Sequence, residues 1–163
     1  MTAPQTPPLL ASVLDRLLDD DPRTLQEAPG ACRYDLRRHK RAVARDLEAL
    51  LNVRRTADRA ALLEGFPQAR DSFLEYGITD LAGLSLLNPD HRQRLREQIR
   101  QAIQRHEPRL AQVRVHLDPA RDATRTLRFR VEALLELHPH RPPVVFDALL
   151  QLSSNACQVR SEA

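Results

Sequence analysis

One proline separates two stretches of this sequence that have different apolar periodicities. Before Pro108, apolar residues recur every three or four positions, and after it they alternate with polar ones. Proline has no amide hydrogen, costs about 3 kcal/mol inside a helix and pushes the preceding residue toward extended geometry. A helix is therefore predicted to end next to Pro108. Glu107 and Arg109 are then two opposite charges held on either side of a rigid ring at a sharp bend.

Three helices are predicted before this junction. The first covers residues 9–21, where Ser12 is a favourable cap with an acidic residue three positions later. The second is the longest and covers residues 33–52, because its leucines fall on one side at helical spacing. The third starts at Pro89, since proline is favoured at the first helical position, and continues to about His106.

Three strands are predicted after the junction. Apolar and polar residues alternate over residues 113–117, 126–137 and 144–152, which places one face of each strand inward and one in water. Short connections between successive strands favour an antiparallel sheet covered on one face by the helices. The predicted fold class is therefore α+β, with N-terminal helices packed on a small three-stranded antiparallel C-terminal sheet. The outer strands of such a sheet have free edges unless a partner pairs with them.

A single domain is expected over residues 9–152, because 163 residues with 42% apolar side chains suffice for one core. Residues 1–8 contain three prolines and are expected to be disordered. Residues 22–31 are expected to form a linker and residues 153–163 a flexible tail. The N-terminus lacks a basic segment, and no apolar run approaches the ~18 residues needed to span a bilayer. A soluble, cytoplasmic protein is expected.

The residue types of the chain single out no catalytic, cofactor-binding or metal-binding site. With four glycines there is no glycine-rich phosphate loop, and the many acids include no distinguished pair. Arginine supplies 24 of the 25 basic residues, so an arginine-rich nucleic-acid-binding domain is an alternative. However, 22 acidic residues are interspersed with the basic ones, and the net charge is only +3. A non-enzymatic interaction domain is the favoured interpretation.

The longest predicted helix carries a polar face of its own. At about 100° per residue, Arg45, Glu48 and Asn52 fall together on one side. Such a stripe is either a solvated surface with ordinary intrahelical pairs or a contact surface for a partner. The second alternative makes these three side chains candidate partner-binding residues.

Five segments stand out in order along residues 9–152. They are Leu14-Asp15-Arg16-Leu17-Leu18-Asp19-Asp20-Asp21-Pro22, Arg45-Asp46-Leu47-Glu48-Ala49-Leu50-Leu51-Asn52, Ser72-Phe73-Leu74-Glu75-Tyr76-Gly77, Glu107-Pro108-Arg109-Leu110 and Val145-Phe146-Asp147. Together they resemble the TssE baseplate subunits of type VI secretion systems, a family related to the wedge protein of contractile phage tails. The sequence departs from the family pattern at Val53, where threonine is usual, and at Phe73 and Glu75, where valine and asparagine are commoner.

The resemblance implies a structural subunit that binds the TssF and TssG proteins of the baseplate wedge and helps to start polymerisation of the TssB/TssC contractile sheath. It assigns the contact with the wedge core to Glu107, Pro108 and Arg109. It also implies that an edge of the sheet mimics one layer of sheath, as in strand addition. No cofactor and no small-molecule substrate are expected. The family has been labelled lysozyme-like, but without a distinguished pair of acids a peptidoglycan hydrolase is the least favoured alternative.

Overall fold

A computed structural model of the chain describes residues 12–18, 23, 35–55, 65–66, 68, 75–81, 83–119, 126–137 and 140–162. The expected disordered N-terminus, nearly all of the expected linker and the segment Ser72–Leu74 lie outside the described residues.

The described residues include three helices before the sheet, and the side chain of the preceding residue caps each one. Helix α1 spans Val13–Leu17, α2 spans Leu36–Asn52 and α3 spans Pro89–His106. The Asn88 side chain accepts a hydrogen bond from the Asp90 amide, which satisfies one of the unpaired donors at the start of α3. Helix α3 therefore begins and ends at the residues predicted from the sequence. No helix in the described part of the chain is long and apolar enough to cross a membrane.

A short parallel pair of strands connects the end of α2 to the segment before α3. It consists of β1, Arg54–Arg55, and β2, Ile78–Thr79. Gly77 introduces β2 with a φ of +105°, and a Cβ atom at this position would lie 2.5 Å from the Val53 carbonyl oxygen. Only glycine fits, both because of the positive φ and because the backbone approaches so closely.

The main sheet is antiparallel and has four strands in the order β3-β4-β5-β6. They span Leu110–Leu117, Thr126–Leu135, Pro143–Gln151 and Ala156–Ser161. The prediction of three strands is therefore wrong, because β6 lies within residues 153–163 and pairs with β5. Cys157 and Val159 are the buried side chains of β6, and two alternating apolar positions are too short a pattern to distinguish a strand from an irregular end.

The core lies between the helices and one face of this sheet. Helix α2 packs against β6 and α3 against β3. The largest side chains of the core are almost fully buried; they include Phe146, Leu47, Leu95 and Ile99. Burying one such side chain stabilises the fold by about 1.5–3 kcal/mol, so the two helices hold the sheet mainly through apolar contact.

A β-bulge interrupts β3 close to the junction. Ala111 pairs with Leu134, but the next regular pair is Arg114 with Glu132, so β3 has one residue more than its partner. The extra residue is Gln112, which has a φ of 54°. Because the bulge adds a residue, Leu110 and Val113 are both buried although three positions separate them.

Candidate functional site

The turn between α3 and β3 is fixed by two backbone hydrogen bonds. The Glu107 amide donates to the Ile103 carbonyl at 2.8 Å and closes the last turn of α3. The Leu110 amide then donates to the Glu107 carbonyl at 3.1 Å, so the chain turns within three residues. Pro108 is exposed at the tip of this turn, whereas Glu107 is only 5% exposed.

Glu107 and Arg109, on either side of Pro108, form a bidentate ion pair. Arg109 Nε lies 2.6 Å from Glu107 Oε1, and Arg109 Nη2 lies 2.5 Å from Glu107 Oε2. This fork geometry is the strongest arrangement of a guanidinium with a carboxylate. The hydrogen bonds to Glu107 hold the pKa of Arg109 well above its ordinary value, although burial opposes the charge. Glu107 therefore already has its partner within the chain.

Residues from α1 and α2 extend this pair into a larger network. Arg109 Nη2 lies 2.5 Å from Asp46 Oδ2, and Arg45 Nε lies 2.9 Å from Asp46 Oδ1. Arg45 Nη2 also lies 2.8 Å from Asp15 Oδ1, so the network reaches α1. We call these three carboxylates and two guanidinium groups the junction cluster: Asp15, Arg45, Asp46, Glu107 and Arg109.

The junction cluster links α1 and α2 to the turn before β3. Arg109 bridges the turn and α2 by binding both Glu107 and Asp46. Removing one partner of a fully buried pair costs about 3–5 kcal/mol, and the cost is smaller here because the Arg109 and Asp46 side chains are 25% and 26% exposed. His39 lies close enough to be influenced by Asp15 and Arg109, but burial, the largest effect, lowers its pKa below the ordinary 6.5. The buried imidazole therefore adds no full positive charge to the cluster at neutral pH.

The predicted partner-binding residues do not lie together. Arg45 joins Glu107 and Arg109 in the junction cluster, next to exposed Pro108. Glu48 and Asn52 instead contact β6, at the far side of the sheet. Helical spacing predicts which side of α2 a residue occupies, but it could not tell whether Glu48 and Asn52 meet a strand of the same chain or another protein.

Asn52 replaces a neighbouring strand at the outer edge of β6. The Cys157 amide donates to Asn52 Oδ1 at 2.8 Å, and Asn52 Nδ2 donates to the Cys157 carbonyl at 2.9 Å. One side-chain amide thus makes both hydrogen bonds that a residue of an adjacent strand would make. Burial beneath this contact raises the pKa of the Cys157 thiol to about 12.

Two further side chains extend this contact along the same edge. The Val159 amide donates to Glu48 Oε2 at 2.9 Å, and Arg54 Nη2 donates to the Asn155 carbonyl at 2.5 Å. Residues 155, 157 and 159 are two positions apart, which is the spacing of groups that point away from β5. We call this edge, capped by Glu48, Asn52 and Arg54, the closed edge.

The outer edge of β3 has no such cap within the described ranges. The Asp118 amide donates to the Arg128 carbonyl at 3.0 Å, which identifies the residues of β3 that bond to β4. The alternating antiparallel pattern then directs the amides and carbonyls of Val113, Val115 and Leu117 away from the sheet. No described residue hydrogen-bonds to them. We call this edge the open edge.

Sequence reasoning did not select Asp15, Asp46 or Arg54. Asp46 is adjacent to Arg45, but its orientation toward Arg109 depends on a contact between residues 63 positions apart. Arg54 follows the end of α2 and reaches residue 155 across the fold. Neither contact has a periodic signal along the chain.

A search of protein-family models matches residues 37–140 to the family described as baseplate wedge protein gp25. The match covers 104 of the 163 residues and includes all but the first residue of α2, together with α3, β3, β4 and four of the five residues of the junction cluster. No curated protein and no solved structure shows a significant match.

Proposed function

Because the chain belongs to the baseplate wedge protein gp25 family, a family of structural baseplate proteins, we propose that it is the TssE-type subunit of a type VI secretion baseplate. In this role it binds a wedge core of TssF and TssG in the cytoplasm. It also provides the first strand-pairing surface for the TssB/TssC sheath. The function requires protein–protein contacts and no chemical reaction.

The difference between the two edges of the sheet is the observation that carries the sheath role. Strand addition needs a row of unpaired amides and carbonyls, which give affinity, and alternating side chains, which give register. The open edge offers such a row at Val113, Val115 and Leu117, whereas the closed edge is occupied by side chains of its own chain. The sheath strand is therefore proposed to pair with β3.

Only part of the Glu107-Pro108-Arg109 turn is exposed and available for a wedge contact. Pro108 is exposed, and the Arg109 side chain is 25% exposed, but the Glu107 side chain is only 6% exposed. Pro108 and the outer part of Arg109 are proposed to touch the wedge core. Glu107 positions Arg109 for that contact through the bidentate ion pair.

Ion pairing also favours a protein partner over a nucleic acid. Among the described residues, seven arginines bind carboxylates of their own chain, which reduces the positive charge available to phosphate groups. The three carboxylates of the junction cluster likewise bind arginine, whereas a glycosidase needs a protonated carboxylic acid beside a carboxylate. The seven arginines are Arg45, Arg55, Arg100, Arg105, Arg109, Arg130 and Arg141.

Replacing Val115 by proline tests the proposed strand addition. The Val115 amide points outward, so Val115→Pro removes no bond between β3 and β4 but removes a donor that an added strand needs. Val115→Ala is the matched control, since it loses comparable apolar contact and keeps the amide. Both variants should lose about 2 kcal/mol of stability, measured by chemical unfolding. In cells, only the proline variant should fail to form sheaths seen with fluorescent TssB.

Two results would contradict this proposal. Sheath formation by Val115→Pro at the level of Val115→Ala would exclude pairing at the open edge. Failure of the wild-type chain to co-purify with TssF and TssG would exclude the wedge role itself.

A further inference from the structure

Helix α1 is attached to the rest of the chain through its acidic side. The Asp15 side chain is only 3% exposed and lies 2.8 Å from Arg45, with Arg109 Nη1 at 4.0 Å. Ser12 Oγ donates to Asp15 Oδ2 at 2.6 Å and fixes the orientation of the carboxylate. The contact therefore combines burial with charge, and it holds the charged side of α1 against the junction cluster.

The apolar side of α1 faces outward. Val13 and Leu17 are 75% and 77% exposed, while Leu14 and Leu18 are 52% and 47% exposed. At 100° per residue, Val13 and Leu17 lie furthest from Asp15 around the helix, which agrees with their greater exposure. An amphipathic helix normally buries its apolar side, so α1 has the opposite orientation to that of a helix that contributes to a core.

We propose that this apolar face is a docking surface for another protein, and that its partner has an apolar groove with a basic rim. The exposed side chains at i, i+1, i+4 and i+5 form the stripe that a hydrophobic groove binds in helix-in-groove recognition. This inference rests on the proposed function, because the expected partner is another baseplate protein. It adds a second contact, separate from the tip of the junction turn.

Charge selects this kind of partner. Asp15 is neutralised by Arg45, and Asp19, Asp20 and Asp21 follow α1 directly in the sequence. With Arg16 as the one basic residue between Ser12 and Asp21, the segment without Asp15 carries a net charge of −2. A groove that receives the apolar stripe is therefore complemented by arginine or lysine at its rim.

The same charges disfavour two other occupants. Two copies of this segment have net charges of the same sign, which repel each other. A membrane-surface helix usually has basic residues on its polar side and binds anionic lipids, whereas aspartates follow this one. Self-association and lipid binding are therefore outcomes that contradict the proposal.

Leu17→Ser is the test variant and Leu87→Ser is its matched control. The two leucines are similarly exposed, at 77% and 72%, but Leu87 lies outside α1, before α3. Both variants should melt within about 1 °C of the wild type because neither side chain contributes to the core. In titrations with co-purified TssF–TssG, Leu17→Ser should bind about tenfold or more weakly, and Leu87→Ser should bind like the wild type. Unchanged binding by Leu17→Ser would overturn the inference while leaving the wedge role intact.

A second measurement separates this inference from the proposed function. A photo-crosslinking amino acid is placed at position 17, or at position 87 as the control, in the full chain in its native cells. Adducts specific to position 17 should map to a peptide of another protein that is apolar and flanked by arginine or lysine. Adducts to a second copy or to lipid, or equal labelling from both positions, would overturn the inference. This outcome does not depend on whether the chain binds TssF and TssG.

Discussion

The two outer strands of the sheet differ in how their outward-facing backbone groups are satisfied. The closed edge at β6 has side chains of Glu48, Asn52 and Arg54 on its outward groups. The open edge at β3 has outward groups that no described residue binds. Natural sheets usually protect exposed edges against unwanted pairing, and here the described residues protect the edge at β6 but not the edge at β3.

At the closed edge, a side chain from the end of α2 makes the hydrogen bonds that a further strand would make to β6, and the sheet is not extended. Asn52 satisfies both backbone groups of Cys157, but it offers no further row of groups to a next strand. Growth of the sheet is therefore blocked at one side and possible at the other. An assembly that starts on this protein would have a defined direction.

Removing the Asn52 amide should have the largest effect on the closed edge. Asn52→Ala leaves the Cys157 amide and carbonyl without their partners, and each lost partner costs about 1–3 kcal/mol when the group is buried. Since the site is partly buried, we expect a loss of about 2 kcal/mol in the free energy of unfolding, measured with urea. Gln158→Ala, on the exposed face of the same strand, should change it by less than about 0.5 kcal/mol. Equal effects of the two variants would show that Asn52 does not stabilise β6.

The reactivity of the Cys157 thiol should report opening of the closed edge with a smaller change. With a pKa of about 12, the thiol is protonated at pH 8, so alkylation requires β6 to separate from α2. In a Cys32→Ser background, Asn52→Ala should raise the rate of iodoacetamide labelling about tenfold, equivalent to ~1.4 kcal/mol of easier opening. Gln158→Ala in the same background serves as the control. A rate that does not respond to Asn52→Ala would mean that β6 is held by its pairing with β5 alone.

Glycine substitutions at the positive-φ residue near each edge should have the smallest effect on the free energy of unfolding. Gln112 in β3 and Asn155 before β6 both have a φ of 54°. Asparagine tolerates this conformation better than glutamine, so glycine should help more at position 112. Gln112→Gly should raise the unfolding free energy by at most about 1 kcal/mol, and Asn155→Gly should leave it nearly unchanged. Thermal unfolding of both variants provides the measurement, and a larger gain from Asn155→Gly would contradict the explanation.

The elements with strong local signals could be predicted from the sequence. Asn88 and Pro89 define the start of α3, and Pro108 defines its end, because capping and the missing amide act over a few residues. Strands β3, β4 and β5 follow from alternation that continues over several residues. Strand β6 was missed because only Cys157 and Val159 carry that signal.

The candidate site was less predictable because its contacts join distant parts of the chain. Glu107 and Arg109 could be recognised as a pair, but the burial of Glu107 depends on how the rest of the chain folds around the turn. The face of Asn52 was visible in the helical spacing, whereas its partner, Cys157, is 105 positions away. Periodicity defines the side of an element on which a residue lies, and the tertiary fold alone decides what that side meets.

The bulge at Gln112 has a consequence for insertions and deletions in this part of the chain. If Gln112 were deleted, Ala111, Val113 and Arg114 would follow one another in regular register opposite Leu134, Ala133 and Glu132. Leu110 and Val113 would still face the core, so the deletion would exchange no inside position for an outside one. What would change is the local bend and twist of β3. A length difference of one residue at this position would therefore change the orientation of the Pro108 turn relative to the open edge, while the same side chains remain in the core.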